Sequence, residues 1–162
     1  MASTYEKIAT TTLGSATASY TFSSISGTYT DLILILVGST SGGAYSVQVG
    51  NGSVDTGNNY SRTFIYGDGT TAGSGKTANL SGFIINSGVT SFQTSIMNFM
   101  SYSNTSTYKT LLIRGNDVVS STAATSSIWR STSAINTIKI FGYGGVNLDS
   151  GSTFTLYGIK SA

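Results

Sequence analysis

The apolar runs of this chain are short, and this feature constrains the fold most. Gly, Ser, Asn and Thr interrupt each run before it is long enough for a stable helix. Ala, Leu, Glu, Lys and Gln never gather over ten or more positions, and each interior glycine costs a helix about 1 kcal/mol. Thr, Val, Ile, Tyr and Phe dominate the runs, and these residues favour half-buried strands. Short strands with such turns are typical of sandwiches and barrels. We therefore expect an all-β fold, an antiparallel two-sheet β-sandwich, with residues 1–162 forming a single domain.

The apolar runs predict about eleven strands. The most apolar run, Asp31–Val37, is apolar on both faces and is expected at the centre of a sheet. Asn51-Gly52 between alternating residues predicts a hairpin, because both positions tolerate a positive φ. The eleven runs are Tyr5–Leu13, Ser19–Ile25, Asp31–Val37, Tyr45–Val49, Phe64–Tyr66, Leu80–Ile85, Phe92–Tyr102, Thr110–Arg114, Ser127–Arg130, Ile135–Phe141 and Thr153–Ile159.

Two long gaps between these runs, Gly50–Asn59 and Gly67–Asn79, are predicted to be loops. Loops on a rigid frame commonly bind partners, although plain surface loops would have the same composition. The chain has no proline, which removes one device for protecting edge strands. Edge strands must then be protected by lysines, bulges or pairing with another subunit, which points weakly to an oligomer.

The composition argues against catalysis. The chain has no His and no Cys, and its only Glu is Glu6, whereas proton transfer and transition-metal sites mostly use these residues. We expect no enzymatic activity and no cofactor. The net charge is +2 and the charges are scattered, so no basic cluster predicts nucleic-acid binding. No apolar run approaches the ~20 residues of a membrane helix, and residues 1–13 lack a signal-peptide core.

Local motifs leave few candidates for chemistry. Gly75-Lys76-Thr77 lacks the first glycine of a phosphate-binding loop, so no nucleotide site is predicted. Asp55, Asn58 and Asn59 could supply oxygen ligands to calcium or simply cap a turn; the sequence leaves this open.

The aromatic residues divide into expected core and expected surface. Trp129 beside Arg130 has the composition of a binding hot spot, but an ordinary buried tryptophan at a strand end looks the same. Tyr66, Asp68 and Tyr143 border predicted loops, where exposed tyrosine stacks on sugars or packs into interfaces. These five residues are the candidates for recognition by loops. The phenylalanines on strand faces, expected in the core, are Phe22, Phe64, Phe92, Phe99 and Phe154.

Five segments together carry a family resemblance. They are Gly27–Leu34, Asp55–Ser61, Tyr102–Thr110, Ile128–Ile135 and the closing Gly151–Ile159, which reads GSTFTLYGI. The chain resembles, over nearly its whole length, small β-sandwich virion proteins of tailed phages, especially phages of cyanobacteria. The resemblance implies a jelly-roll-like sandwich, usually trimeric, displayed on a virus particle, and it supplies no catalytic residues.

The resemblance leaves two functions open. The first is a capsid decoration (cement) protein, made in the host cytoplasm, that binds the major capsid protein on the outer capsid surface as a homotrimer. The second is a tail-fibre or head-fibre domain that binds host glycan. A cellular lectin-like sandwich is a weaker third possibility. For the first function, the expected shell contact is the free end before the fold, where the candidate residues are Met1, Ala2, Ser3, Thr4, Tyr5 and Lys7.

Overall fold

The computed structural model describes residues 4–85, 91–116 and 121–160. Within these ranges the chain forms thirteen β-strands and no helix. The strands are β1 (Tyr5–Thr12), β2 (Ser19–Phe22), β3 (Asp31–Gly38), β4 (Tyr45–Asn51), β5 (Ser53–Val54), β6 (Tyr60–Gly67), β7 (Ala72–Leu80), β8 (Phe83–Ile84), β9 (Gln93–Met100), β10 (Lys109–Asn116), β11 (Thr122–Trp129), β12 (Thr137–Gly142) and β13 (Thr153–Ile159).

The strands form two antiparallel sheets that pack face to face. The large sheet has eight strands in the order β1-β13-β3-β9-β10-β11-β6-β7. The small sheet has five, in the order β2-β12-β4-β5 with β8 paired to β4. The expected all-β, antiparallel two-sheet β-sandwich, jelly-roll-like in kind, is therefore confirmed.

The core lies between the two sheets and is built by alternation along the strands. On β3, Leu32, Leu34 and Leu36 are fully buried, while the residues between them point to the opposite side of the large sheet. The small sheet contributes Val47 and Ile140, which are also fully buried. The prediction that β3 is central is confirmed, since it pairs with β13 on one side and β9 on the other.

The predicted hairpin at Asn51-Gly52 is present. Asn51 pairs with Ser53, and Gly52 at the tip has a φ of +80°. Asn136 fixes this turn from β12's side, because its Oδ1 accepts a 2.6 Å hydrogen bond from the Gly52 N–H. Of the first predicted loop, only the stretch after β5 and before β6 remains irregular.

The second predicted loop, Gly67–Asn79, is wrong, because most of it is strand β7, paired with β6 along its length. The glycines that suggested a loop have a packing role. A Cβ on Gly73 would lie 2.6 Å from the Tyr66 ring, and a Cβ on Gly75 would lie 2.6 Å from the Phe64 ring. Only glycine lets the two aromatic rings of β6 lie flat across β7.

The expected free end is shorter than predicted. Tyr5 pairs with Ile159 and Lys7 pairs with Tyr157, so β1 is an edge strand of the large sheet from Tyr5 onward. Extending the free end to Lys7 was wrong; Met1, Ala2 and Ser3 lie outside the described residues. A bulge follows Lys7, and Lys76 lies on the other edge strand, β7. Bulges and lysines are two of the expected protections for edges.

Candidate binding surfaces

The outer face of the large sheet, meaning the side away from the small sheet, exposes several large apolar side chains. The cross-strand register aligns Ile35 with Ile96, and Ala124 with Ile65, on this face. Ile65 is 61% exposed and Leu112 is 43% exposed. The other apolar side chains that register and alternation place here are Ile33, Val37, Met100 and Ile128. Exposed apolar side chains grouped on one sheet face indicate a candidate interaction site, although Arg114 lies between Ile96 and Ala124.

The outer face is also wide and carries a few charged residues among its polar and apolar ones. Its centre holds a groove of about 500 Å³ lined by Ile65, Leu112 and Ala124 together with polar neighbours. Arg114 opposes Ile96 within the face, while Lys7 and Lys76 lie on its two edge strands. Eight strands spaced about 4.8 Å apart, each about eight residues long, give a face of roughly 800–900 Å². One partner in a standard protein interface contributes about 800 Å².

A second cluster surrounds Asp55, the first residue of the loop between β5 and β6. The Asp55 carboxylate accepts hydrogen bonds from Trp129 Nε1 at 2.7 Å, Asn59 Nδ2 at 2.8 Å and the Gly57 N–H at 2.8 Å. Burial alone would raise the pKa of Asp55, but these three donors outweigh it, and the pKa lies below its ordinary value. Trp129 is 2% exposed, so it is the buried tryptophan at a strand end rather than an exposed hot spot.

Arg130 belongs to the same cluster and links several segments by hydrogen bonds. Its Nη1 donates to Ser61 Oγ, and its Nη2 donates to the Asn58 carbonyl at 2.6 Å and to Asn79 Oδ1 at 3.2 Å. These bonds connect the loop before β6 to β6 itself and to β7. The hydrogen bonds of the Arg130 guanidinium therefore stabilise the arrangement of these segments.

The donors around Asp55 bear on the calcium hypothesis. Both carboxylate oxygens already accept hydrogen bonds from protein groups, and Asn59 presents its amide nitrogen rather than its oxygen to Asp55. Within residues 4–85, 91–116 and 121–160, no three His, Cys, Asp or Glu side chains gather in a way that could hold a metal ion. The arrangement fits the turn-capping interpretation.

The remaining recognition candidates lie elsewhere. Tyr66 is 42% exposed on β6, and Tyr143 is 44% exposed in the turn after β12. Asp68 at the tip of the β6–β7 hairpin accepts from the Thr71 and Thr70 N–H groups, which lower its pKa. Trp129 pairs with Tyr60, and Tyr66 lies six residues further along β6. Tyr60 and Tyr66 are therefore about 20 Å apart. The five candidates therefore do not form one site.

The candidate shell-contact residues that the structure describes lie at the margin of the outer face. Thr4 is exposed, and its carbonyl accepts a hydrogen bond from the Lys160 N–H. Tyr5 is 58% exposed and Lys7 is exposed; their register with β13 places both on the outer face. Between them, Glu6 forms an ion pair with Lys160.

Sequence reasoning missed a third surface, next to Tyr143. A groove of about 400 Å³ lies between the turn at residues 142–146 and the exposed side of β12. It is lined by Lys139, Phe141 and Tyr143 among others. The half-buried Arg62 does not line this groove; burial lowers its pKa.

Comparison with known proteins assigns the chain to no family. No protein-family model matches the chain, and no curated protein is significantly similar to it in sequence. No helix in the described part of the chain is long and apolar enough to cross a membrane.

Proposed function

We propose that the protein is a structural component of a phage virion, a capsid decoration protein that binds the outer shell as a homotrimer and stabilises the head. The observation that supports this most is the outer face of the large sheet. It is wide, exposes apolar side chains such as Ile65 and Leu112, and is about the size of one side of a standard interface. A surface with these properties fits against another protein and not against water.

Shell binding of this kind works by avidity. Each subunit makes one modest contact through its outer face, and a trimer makes three at once, which can raise affinity by roughly 10² or more. The resemblance of five segments to phage virion proteins supports the location. Low charge supports close packing of copies, because few like charges repel one another.

The test combines location with a mutation. The protein should occur in hundreds of copies in purified particles, and the isolated chain should have the mass of three 16.8-kDa copies, about 50 kDa, by native mass spectrometry. Leu112→Glu places a charge at the centre of the outer face and should abolish co-sedimentation with expanded heads. Leu112 is 43% exposed, so the variant should still fold.

The matched control is Ser23→Glu, which adds the same charge at an exposed position outside both sheets. This variant should bind heads like the unmodified protein. A monomer that never co-purifies with heads would refute the proposal, and so would equal binding by the two variants. A few copies, or a few dozen, per particle would favour a fibre.

The fibre alternative has one observation in its favour. Tyr66 and Tyr143 both expose more than two fifths of their side chains, as rings that stack on sugars do. A host-glycan-binding fibre domain should bind host envelope polysaccharide saturably and lose that binding in Tyr66→Ala or Tyr143→Ala. Absence of binding to host envelope glycans would remove this alternative.

A further inference from the structure

The edge of the large sheet at β7 is long and regular. Among the described residues β7 pairs only with β6 and ends the sheet on that side. Its register with β6 is unbroken from Ala72 to Thr77. The other edges within the described ranges are interrupted or short, because β1 has a bulge after Lys7 and β2, β5 and β8 have only two to four residues. A long, regular edge is a template for pairing with another chain.

Three residues of β7 direct their backbone N–H and C=O groups away from β6. The Asp68 N–H donates to the Thr71 carbonyl at 3.0 Å, so these two residues form a hydrogen-bonded pair at the start of the ladder. Hydrogen-bonded and non-hydrogen-bonded pairs alternate along an antiparallel ladder. The backbone polar groups of Ala72, Ser74 and Lys76 therefore point to the open edge, where a further strand can exchange hydrogen bonds with all three residues.

Lys76 is the only charged residue of β7, and its side chain does not cover this edge. Side chains stand roughly perpendicular to a sheet, and Lys76 lines a groove on the outer face together with Thr63 and Ser126. β7 also has no proline. Lys76 therefore opposes pairing only where a second chain would place a like charge beside it.

The aromatic rings of β6 extend over β7 towards the same edge. The atoms that a Cβ on Gly73 or Gly75 would meet first include Cζ of Tyr66 and Cζ of Phe64, which are the far ends of the two rings. The ring centres are 6.3 Å apart. Tyr66 is 42% exposed and Phe64 is partly buried. Aromatic surface beside unpaired backbone groups indicates a protein contact.

We propose that β7 pairs antiparallel with β7 of a second copy of this chain, about a two-fold axis at Ser74. The two copies of Ser74 then face each other and exchange both backbone hydrogen bonds. Lys76 of each copy faces Ala72 of the other and exchanges hydrogen bonds in the same way, so no like charges are opposed. Such a contact uses the same patch on both copies and closes on itself.

The same register brings the aromatic rings of the two copies together. Gly73 of one copy faces Gly75 of the other in a non-hydrogen-bonded pair, whose Cα atoms are about 4.5 Å apart. The tip of each Tyr66 ring therefore lies beside the tip of a Phe64 ring of the other copy, within the roughly 4.5–7 Å range of aromatic pairs. A second copy thus covers the aromatic surface that β6 and β7 leave exposed, which favours self-pairing over an unrelated extended peptide.

This contact is separate from attachment of the outer face to a shell. Because only an edge is buried, we expect weak association in dilute solution. On a shell, copies are held close together, and the high effective concentration would favour pairing between neighbouring trimers. Cross-linking at β7 in solution and co-sedimentation with heads are separate readouts, so either can fail alone.

The first test is disulfide cross-linking of the full chain, which has no cysteine of its own. In Ser74→Cys the paired Cα atoms would be about 5.5 Å apart, within the roughly 4.4–6.8 Å range of disulfides. At millimolar protein with a mild thiol oxidant, a covalent dimer of twice 16.8 kDa should form. The matched control is Thr63→Cys, at an exposed position on β6. Its two copies would be three strand spacings apart, about 14 Å, and should not cross-link.

The second test checks the register in the Ser74→Cys background. Ala72→Glu places a carboxylate opposite Lys76 of the other copy and should speed cross-linking at least about threefold, whereas Ala72→Lys opposes like charges and should slow it by a similar factor. Within one chain these positions are about 13 Å apart along the strand, so the opposite effects require a second copy. Unchanged thermal unfolding establishes that each variant is folded.

Three results would each overturn the proposal. They are the absence of a Ser74→Cys dimer at millimolar concentration, equal cross-linking of Ser74→Cys and Thr63→Cys, and equal effects of Ala72→Glu and Ala72→Lys. Faster cross-linking of Thr63→Cys would instead indicate contact between outer faces. Tyr66→Ala should slow cross-linking of Ser74→Cys, because it removes the ring contacts on both sides of the axis.

Discussion

Replacing Asp55 by alanine tests whether the carboxylate holds the loop before β6 in place. The change removes the acceptor of three hydrogen bonds and leaves the Trp129 Nε1–H without its acceptor in a side chain that is only 2% exposed. Leaving one buried donor unsatisfied costs about 1–3 kcal/mol, and hydrogen bonds to a charged group contribute about 1.5–3 kcal/mol each. Because Asn59 and Gly57 are exposed, water replaces their bonds at little cost. We expect a total loss of about 3 kcal/mol.

The assay is thermal unfolding followed by circular dichroism, with fluorescence of the single tryptophan as a second probe. For a chain of this length, 1 kcal/mol corresponds to a shift of roughly 2–4 °C, so Asp55→Ala should lower Tm by roughly 6–12 °C. The carboxylate contributes stability above the unfolded-state pKa of Asp55, and this contribution is lost as pH falls through the lowered folded-state pKa. The Tm values of Asp55→Ala and the unmodified protein should therefore become equal below that pKa.

The matched control is Asp68→Ala, which removes a carboxylate from the exposed tip of the β6–β7 hairpin. Its effect should be much smaller. A double-mutant cycle with Trp129→Phe should show coupling of about 1 kcal/mol or more with Asp55→Ala. Equal shifts for Asp55→Ala and Asp68→Ala, or additive effects in the cycle, would refute the reasoning.

Two further predictions concern buried tyrosines and tight backbone packing. Burial raises the pKa of Tyr45 to about 12 and that of Tyr60 further still, so ultraviolet titration should show both phenols ionising later than the exposed tyrosines. Stability should fall as pH rises above 10, where the unfolded phenols ionise first; full tyrosine ionisation in a folded protein below pH 11 would contradict this. Gly50→Ala should destabilise the protein strongly in urea unfolding, because the added Cβ would clash with the Ser53 carbonyl, whereas Gly14→Ala meets nothing within 4 Å; similar midpoints for the two variants would contradict the clash.

The sequence predicts most of the strands because strongly apolar runs and turn residues can be recognised locally. The apolar run of β3 and the Asn51-Gly52 turn are local signals, and both are confirmed. Strand β7 was missed because Gly73 and Gly75 resemble loop residues unless the Tyr66 and Phe64 rings above them are known. That packing depends on pairing with β6, which no local pattern reveals.

The surfaces were harder to predict for a different reason. Alternation assigns Phe64 to the inward face of the large sheet, opposite the buried Thr125. The large sheet has three more strands than the small one, so Phe64 is only half-buried, and Tyr66 is exposed. Phe92 was expected in the core and is 47% exposed, so that prediction was also wrong. Which strands lack a covering partner depends on the order of strands in the sheets, and the sequence does not state this order.

The position of β13 has a consequence for how the chain reaches its folded state. β13 lies between β1 and β3, and it pairs with both along most of its length. The first strand therefore has no neighbour in the sheet until a segment about 150 positions later has been synthesised. Such non-local pairing slows folding, and unpaired edges invite aggregation meanwhile. A nascent chain that lacks Thr153–Ile159 would expose an open edge on β3 and leave β1 unattached, so the large sheet can be completed only after synthesis has passed its last strand.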